Sequence, residues 1–356
     1  MSWFAVSAVE GSTTPRRFAD GGVMGQGTLM IETAGRLDDR PRVLFTTMAT
    51  PDAPAPGDLT LRRDTGGRIV AEVTTATATA RATVALGQLE PCQTLRISVT
   101  WGAEGPARLW ISAPEVYPTP RFADLTMPLA LTRAALARAI GGLSVSAAAD
   151  LAYAAASDRI EPVGAMPGLG GAARLMTQAG PARLDSLSAG ETILALDRHG
   201  TLQPVPILTT LVRSLPARGS CRPVRLFAPY FGLTSDLVLS ANEHVTLAGP
   251  DVEYLFAQER VLVPARFLIS HRTGEFVSTG DTVTWHQVLL PAQEQLRLNN
   301  LTVESLYIGG LRRAPEAHAA TMVADVPRRI LPHHAAPTYP VLSEFEAATL
   351  LDQLAR

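Results

Sequence analysis

Seven histidines, two cysteines and one glycine-rich stretch are the residues whose types and spacing suggest chemistry. The histidines are His199, His244, His271, His286, His318, His333 and His334. No two are spaced i, i+4 around a glutamate, the pattern by which one helix face offers two imidazoles to zinc. Cys92 and Cys221 are too few for a four-cysteine metal site or a disulfide scaffold, and they read as free, buried thiols. No metal or other cofactor is expected. No G-x-S-x-G elbow is present, so a hydrolase of that type has no support. Gly168-Leu169-Gly170-Gly171-Ala172-Ala173 matches G-x-G-x-x-A, in which a tight turn aims backbone N–H groups at a pyrophosphate. The context is wrong for that chemistry. Pro162 to Pro167 is not a buried strand, and Gly180-Pro181 arrives too soon for a crossover helix. The stretch therefore reads as a loop. His199 reads as part of a hairpin turn, and His333-His334 as a solvated piece of a proline-rich tail.

The chain that must position such groups has 356 residues, enough for about two domains. Hydrophobic residues make up 46% and charged residues 18%, too apolar for disorder. No uninterrupted run of about 18 apolar residues occurs, so no membrane-spanning helix is expected. A net charge of −2 argues against a nucleic-acid partner held by phosphate neutralisation. All 31 basic residues are arginine. Without lysine there is no Schiff base and no phosphate-loop lysine. The alanine- and arginine-rich composition suits a GC-rich genome. Met1 to Val6 lacks a basic region ahead of its apolar residues, so no cleavable signal peptide is expected. That implies a cytoplasmic protein, or one exported by another route.

Period-two patterning predicts strands at 27–32, 42–47, 59–63, 68–73, 94–101 and 107–112. Asp64-Thr65-Gly66-Gly67 and Gly102 to Pro106 supply turns between them. The prediction for residues 1–125 is a β-sandwich, with at least one of Trp101 and Trp110 in its core. Residues 126–165 turn alanine-rich, with Leu129, Arg133, Leu136 and Ile140 at helical spacing. Helices over 129–140 and 147–156 would make this a helical connector. Strand signals return over 166–310: 174–177, 182–184, 192–196, 205–212, 224–227, 237–240, 244–247, 260–263 and 283–290. Residues 311–356 look like an extended proline-rich tail ending in a helix over 343–354.

Several stretches in one order carry a family resemblance. They are Arg174 to Gly180, Leu187 to Ile193, Leu237 to Val245, Arg260 to Leu268, Val288-Leu289-Leu290 and Val303-Glu304-Ser305-Leu306. Together the stretch from Pro167 to Gly310 resembles the Hint fold of hedgehog and intein autoprocessing domains, in particular a bacterial Hint subfamily. The implied class is all-β with a helical connector, an N-terminal sandwich preceding a Hint-type fold. The implied chemistry is an N-to-acyl shift. A first-position cysteine attacks the preceding carbonyl, and a second-motif histidine polarises the strained peptide and protonates the leaving amine. More loosely, the first 125 residues resemble the concanavalin-like or laminin-G-like domains that precede bacterial Hint domains.

Carried over residue by residue, the resemblance places the histidine at His244 and a hydroxyl at Ser240. The nucleophile position falls on Gly168, and the window Met166–Ala173 holds no Cys, Ser or Thr. Where the family commonly shows further histidines and an aspartate, this chain has Gln287, Pro291, Ala292 and Gln293. His286 is one place off, which along a strand reverses its facing. Cys221 lies in a separate strand-to-loop region. Three functions remain open. One is a Hint domain that no longer cleaves and acts as a binding or assembly module for a protein or glycan partner, not an enzyme. The second is self-cleavage near Gly168. The third is glycan or surface binding through the sandwich, with Trp101 and Trp110 as a stacking surface.

Overall fold

The computed structural model describes residues 2–7, 22–34, 40–48, 56–87, 94–102, 105–113, 120–142, 151–164, 166–197, 199–277, 280–309, 311–334 and 339–354. Cys92 lies outside the described residues. The chain divides into two compact units, Met1–Ala165 and Met166–Arg356.

The first unit is a sandwich of two antiparallel sheets. One is a meander of Arg42–Thr46, Gly57–Arg63, Arg68–Thr75 and Thr79–Ala85. Its turn forms as the sequence dictates: Asp64 Oδ1 accepts from the N–H groups of Gly66 and Arg68, and Gly67 takes a positive φ of 70°. The other sheet has six strands in the order Trp3–Val6, Leu151–Ser157, Gly27–Thr33, Arg96–Trp101, Arg108–Ser112, Arg121–Asp124. Leu59, Leu61, Ile69 and Ala71 of the first sheet share one buried cluster with Leu29, Ile31, Ile97, Val99 and Ile111 of the second. Burying those facing rows away from water holds the sheets together.

Two expectations change here. The helix over Ala147–Ala156 is not formed as such: Leu151–Ser157 is a strand inside the six-stranded sheet, and 147–150 lie outside the described residues. Alanine suits a helix, but Ala154, Ala155 and Ala156 are completely buried between strands on either side, so tertiary burial overrides propensity. The helix Arg133–Gly141, capped by the Thr132 hydroxyl, packs Leu136 and Ile140 into the same core. Residues 126–165 thus belong to the first unit and do not stand apart as a connector. Trp101 and Trp110 are both buried, and their indole N–H groups donate to Met24 O and Thr100 Oγ1. Neither faces solvent as a stacking surface.

The second unit contains a six-stranded sheet in the order Thr209–Pro216, Thr282–Leu289, Leu169–Gly170, Leu237–Ser240, Pro223–Leu226, Gly274–Phe276. A second sheet runs Gly180–Arg183, Arg174–Thr177, Thr192–Leu196, Gln295–Leu298, Leu301–Glu304, His244–Ala248, Arg260–Pro264, with Leu202–Pro206 paired to Thr192–Leu196. The single strand expected over 205–212 is two strands in different sheets, parted at Ile207-Leu208. The tail is more compact than expected. It holds a short helix, Pro315–Ala319, and the helix Glu344–Leu354, whose Ala347 and Leu350 join the unit's core.

Candidate functional site

The glycine-rich stretch becomes a two-residue strand, Leu169–Gly170, wedged between two longer ones. Leu169 pairs with Leu239 on one side and His286 on the other, and Gly170 pairs with Trp285. A turn at 171–172 and the strand Arg174–Thr177 follow, so no helix stands behind the glycines to receive a pyrophosphate. The wedge carries Gly168 to the turn between Leu237–Ser240 and His244–Ala248. There the Ser240 N–H donates to Gly168 O at 2.7 Å, and the Ser240 hydroxyl donates to Met166 O at 2.8 Å. Ser240 therefore clamps the backbone on both sides of Pro167. The turn itself is anchored from outside: Ala265 N–H donates to Glu243 O, Arg266 N–H to Ala241 O, and the Arg266 guanidinium to Asn242 Oδ1.

Behind the turn lies a buried polar group of side chains. Glu243 is wholly buried and accepts from Gln287 Nε2 at 2.9 Å. His244 Nδ1 meets Glu304 Oε2 at 2.7 Å, and the Gln293 amide donates to the other Glu304 oxygen. Burial pushes the Glu243 carboxyl well above the ordinary carboxylate range, and the nearby Glu304 charge adds to it. The Gly168 backbone and the Gln287 amide act in the opposite direction. Three buried polar atoms, Trp285 Nε1, Gln287 Oε1 and Gln293 Oε1, have no hydrogen-bond partner among the described residues.

Gly168 has no room for a side chain. A Cβ built on it would stand 2.4 Å from Trp285 Cβ and 2.5 Å from Trp285 Cγ, and Trp285 is itself only 1% exposed. The indole covers the place where a side chain on residue 168 would begin.

The structure thus brings together Gly168, Ser240, Gln287 and, one residue from Glu243, His244. His286 faces away from Trp285 and Gln287, as the strand alternation requires, and lies by Asp185. Burial lowers its imidazole pKa, with Asp185 pulling it back up. Pro291 and Ala292 are exposed. Cys221 is buried in the short turn Gly219–Cys221, ahead of the strand that pairs with Ser240. His199 is in a turn. His334, expected in solvent, is buried: it accepts from Ile308 N–H and meets Leu290 O, while His333 is exposed. Among the described residues no group of three or more His, Cys, Asp or Glu is placed to hold a metal. No described helix is long and apolar enough to cross a membrane. Sequence reasoning missed Glu243, Trp285 and Glu304. Glu243 and Glu304 both lie in motif stretches, but an acid's partners across a sheet are not written in its neighbours.

Comparison with known proteins bears most directly on the second unit. The family model described as Hint domain matches residues 168–310. Among solved structures, a bacterial intein-like domain from Clostridium thermocellum is 12% identical, with 40% of this chain and 99% of that one covered at a TM-score of 0.30. A DnaB intein from Synechocystis sp. PCC 6803 is 11% identical, with 40% and 99% covered at a TM-score of 0.27. The LG1-3 region of the laminin alpha2 chain is 9% identical, with 86% of this chain and 56% of that one covered at a TM-score of 0.25. A search of curated proteins found no match. On the family match, and with the short strand at Gly168 threaded to the Ser240–His244 turn, residues 168–310 are a Hint-type domain.

Proposed function

We propose that this Hint-type domain does not cleave its own chain and serves as a binding or assembly module. One observation carries the reading: Trp285 fills the space that a side chain would occupy at Gly168, where the family resemblance puts the nucleophile. An N-to-acyl shift needs a thiol or hydroxyl on that residue to attack the preceding carbonyl. Met166–Ala173 offers none. The Ser240 hydroxyl stands beside this segment, and it is spent on Met166 O. The glycan reading loses its motive with both tryptophans buried. Intact mass of the purified chain, incubated with and without dithiothreitol, is the test. The full 37.8 kDa is expected in both cases. Fragments of about 18 and 20 kDa, the shares left by a cut before Gly168, would overturn the proposal.

A further inference from the structure

Two surfaces of the second unit carry opposite charge, and neither is neutralised by ion pairs among the described residues. The helices Pro250–Phe256 and Glu344–Leu354 pack against each other and turn Val252, Ala347 and Leu350 inward. Outward they present Asp251, Glu253, Glu344, Glu346 and Asp352, and neither helix contains a basic residue. Two aromatic side chains stand among these acids. Tyr254 and Phe345 are each 82% exposed, the highest exposure of any large hydrophobic side chain among the described residues. Glu346 caps its own helix by accepting from Ser343. Among the described residues, Asp251, Glu253, Glu344 and Asp352 make no ion pair.

The second surface is built by the short turns Leu311–Arg313 and Arg328–Ile330, which also pack together. It exposes Arg312, Arg313, Arg328 and Arg329 beside Ile330, which is 56% exposed. Of the two acids in the segment between the turns, Asp325 is taken by Arg213 at 2.6 Å, and the exposed Glu316 makes no ion pair among the described residues. None of the four arginines has an ion-pair partner among the described residues. The acidic helices therefore do not satisfy them within the chain.

We propose that the arginine surface of one copy docks on the acidic, aromatic surface of the next. The chemistry matches group for group. A guanidinium pairs with carboxylates through paired N–H donors and stacks on the face of a tyrosine or phenylalanine ring. Ile330 gives the contact an apolar centre against Tyr254 and Phe345, which otherwise stay in water. Both halves belong to the same unit, so a second copy is the occupant for which both surfaces are known. Because different surfaces meet, the contact is heterologous, and copies add head to tail into a ring or a chain. The proposal specifies the partner in the assembly reading above. It does not depend on the loss of cleavage: sedimentation tests one and intact mass the other.

The experiment is sedimentation velocity of the full chain over a tenfold concentration range, at about 20 mM and about 500 mM sodium chloride, which shortens the screening length several-fold. Association that grows with concentration at low salt and fades at high salt is expected. Two variants separate the surfaces: Tyr254→Ala with Phe345→Ala, and Arg328→Glu with Arg329→Glu. All four positions are exposed, and circular dichroism checks that both variants keep the wild-type fold. Each is expected to weaken association at least about tenfold, roughly 1.4 kcal/mol. Mixed in equal amounts, the two are expected to form a heterodimer that grows no further, since only one intact surface of each kind remains. A wild type that is monomeric throughout, association that survives both variants, or a mixture that stays monomeric overturns the proposal.

Discussion

Adding a single carbon at Gly168 is the sharpest probe of the site. In Gly168→Ala the new Cβ meets Trp285 Cβ at 2.4 Å and Cγ at 2.5 Å, and real Cβ atoms essentially never approach within 3.0 Å. Rotating the indole relieves the second contact but not the first, because Trp285 Cβ is fixed by its own strand. The short strand Leu169–Gly170 must then part from Thr282–Leu289, against pairings at His286 and Trp285. Overpacking of this kind costs about 1–3 kcal/mol. For a unit of this size that lowers the melting temperature by roughly 2–4 °C per kcal/mol. Trp285→Gly removes both contacts and costs about 3–5 kcal/mol as a cavity. The double variant Gly168→Ala/Trp285→Gly is expected to be more stable than the sum of the singles predicts, by about 1–3 kcal/mol. Calorimetric melts of the four proteins close the cycle. Strict additivity, or a Gly168→Ala protein that melts with the wild type, would show that the indole does not guard this position. Gly168→Cys carries the same clash and adds a thiol. With no lysine in the chain and Arg174 the nearest basic residue in sequence, that thiol keeps a pKa of at least about 8.5, leaving at most a few per cent thiolate at pH 7. Slow, thiol-dependent cleavage is the most it should give. Rapid, complete cleavage in intact mass would refute the reasoning.

Two further outcomes follow from buried groups elsewhere. The folded state holds the Glu243 proton more tightly than the unfolded chain does, so this stabilisation is complete below the unfolded pKa, near 4.5, and is lost as pH rises through the raised folded value. Glu243→Gln removes the titration, so its melting temperature should gain on that of the wild type as pH rises from 4.5; a constant difference would mean that Glu243 titrates normally. Trp110→Ala should cost about 3–5 kcal/mol by denaturant unfolding, since the ring is buried and packs on Phe122 at 5.3 Å. A loss below 1 kcal/mol would reopen the ring as a surface feature.

What the sequence reveals depends on how each element is buried. Gly57–Arg63 alternates buried and half-buried residues, and such strands are plain from period two. Leu151–Ser157 is covered on both faces, so the alternation vanishes and its alanines mimic a helix. Gln295–Leu298 and Leu301–Glu304 are short and meet at a tight turn where Asn299 and Asn300 take positive φ, a signal too brief to separate from loop. At the site, motif order gave Gly168, Ser240 and His244, because each lies in a stretch with its own local pattern. Trp285, Glu243 and Glu304 meet partners far along the chain, Gly170 for Trp285, Gln287 44 residues from Glu243 and His244 60 residues from Glu304, and such separations leave no mark in local spacing. The same holds for His334, whose burial depends on Ile308 and Leu290 and not on the prolines around it.

The clash at Gly168 also explains why the remaining family-type residues need not signal activity. Groups that accelerate a reaction must bond better in the transition state than in the resting protein. Here they are already bonded at rest. The Ser240 hydroxyl holds Met166 O, the Gln287 amide holds Glu243, and Glu304 holds His244 Nδ1 while the Gln293 amide holds Glu304. Each bond is internal, two of them buried and two partly buried, so breaking one to serve a developing charge costs a desolvated, unpaired group. Gln287 and Gln293 donate hydrogen bonds but exchange no proton near pH 7. Burial, and after it the Glu304 charge, raise the Glu243 carboxyl well above the ordinary carboxylate range, which disfavours its ionised form. Among them Ser240 holds the chain on both sides of Pro167, and the others hold one another. A thiol supplied at residue 168 would enter a centre whose hydrogen bonds are already committed.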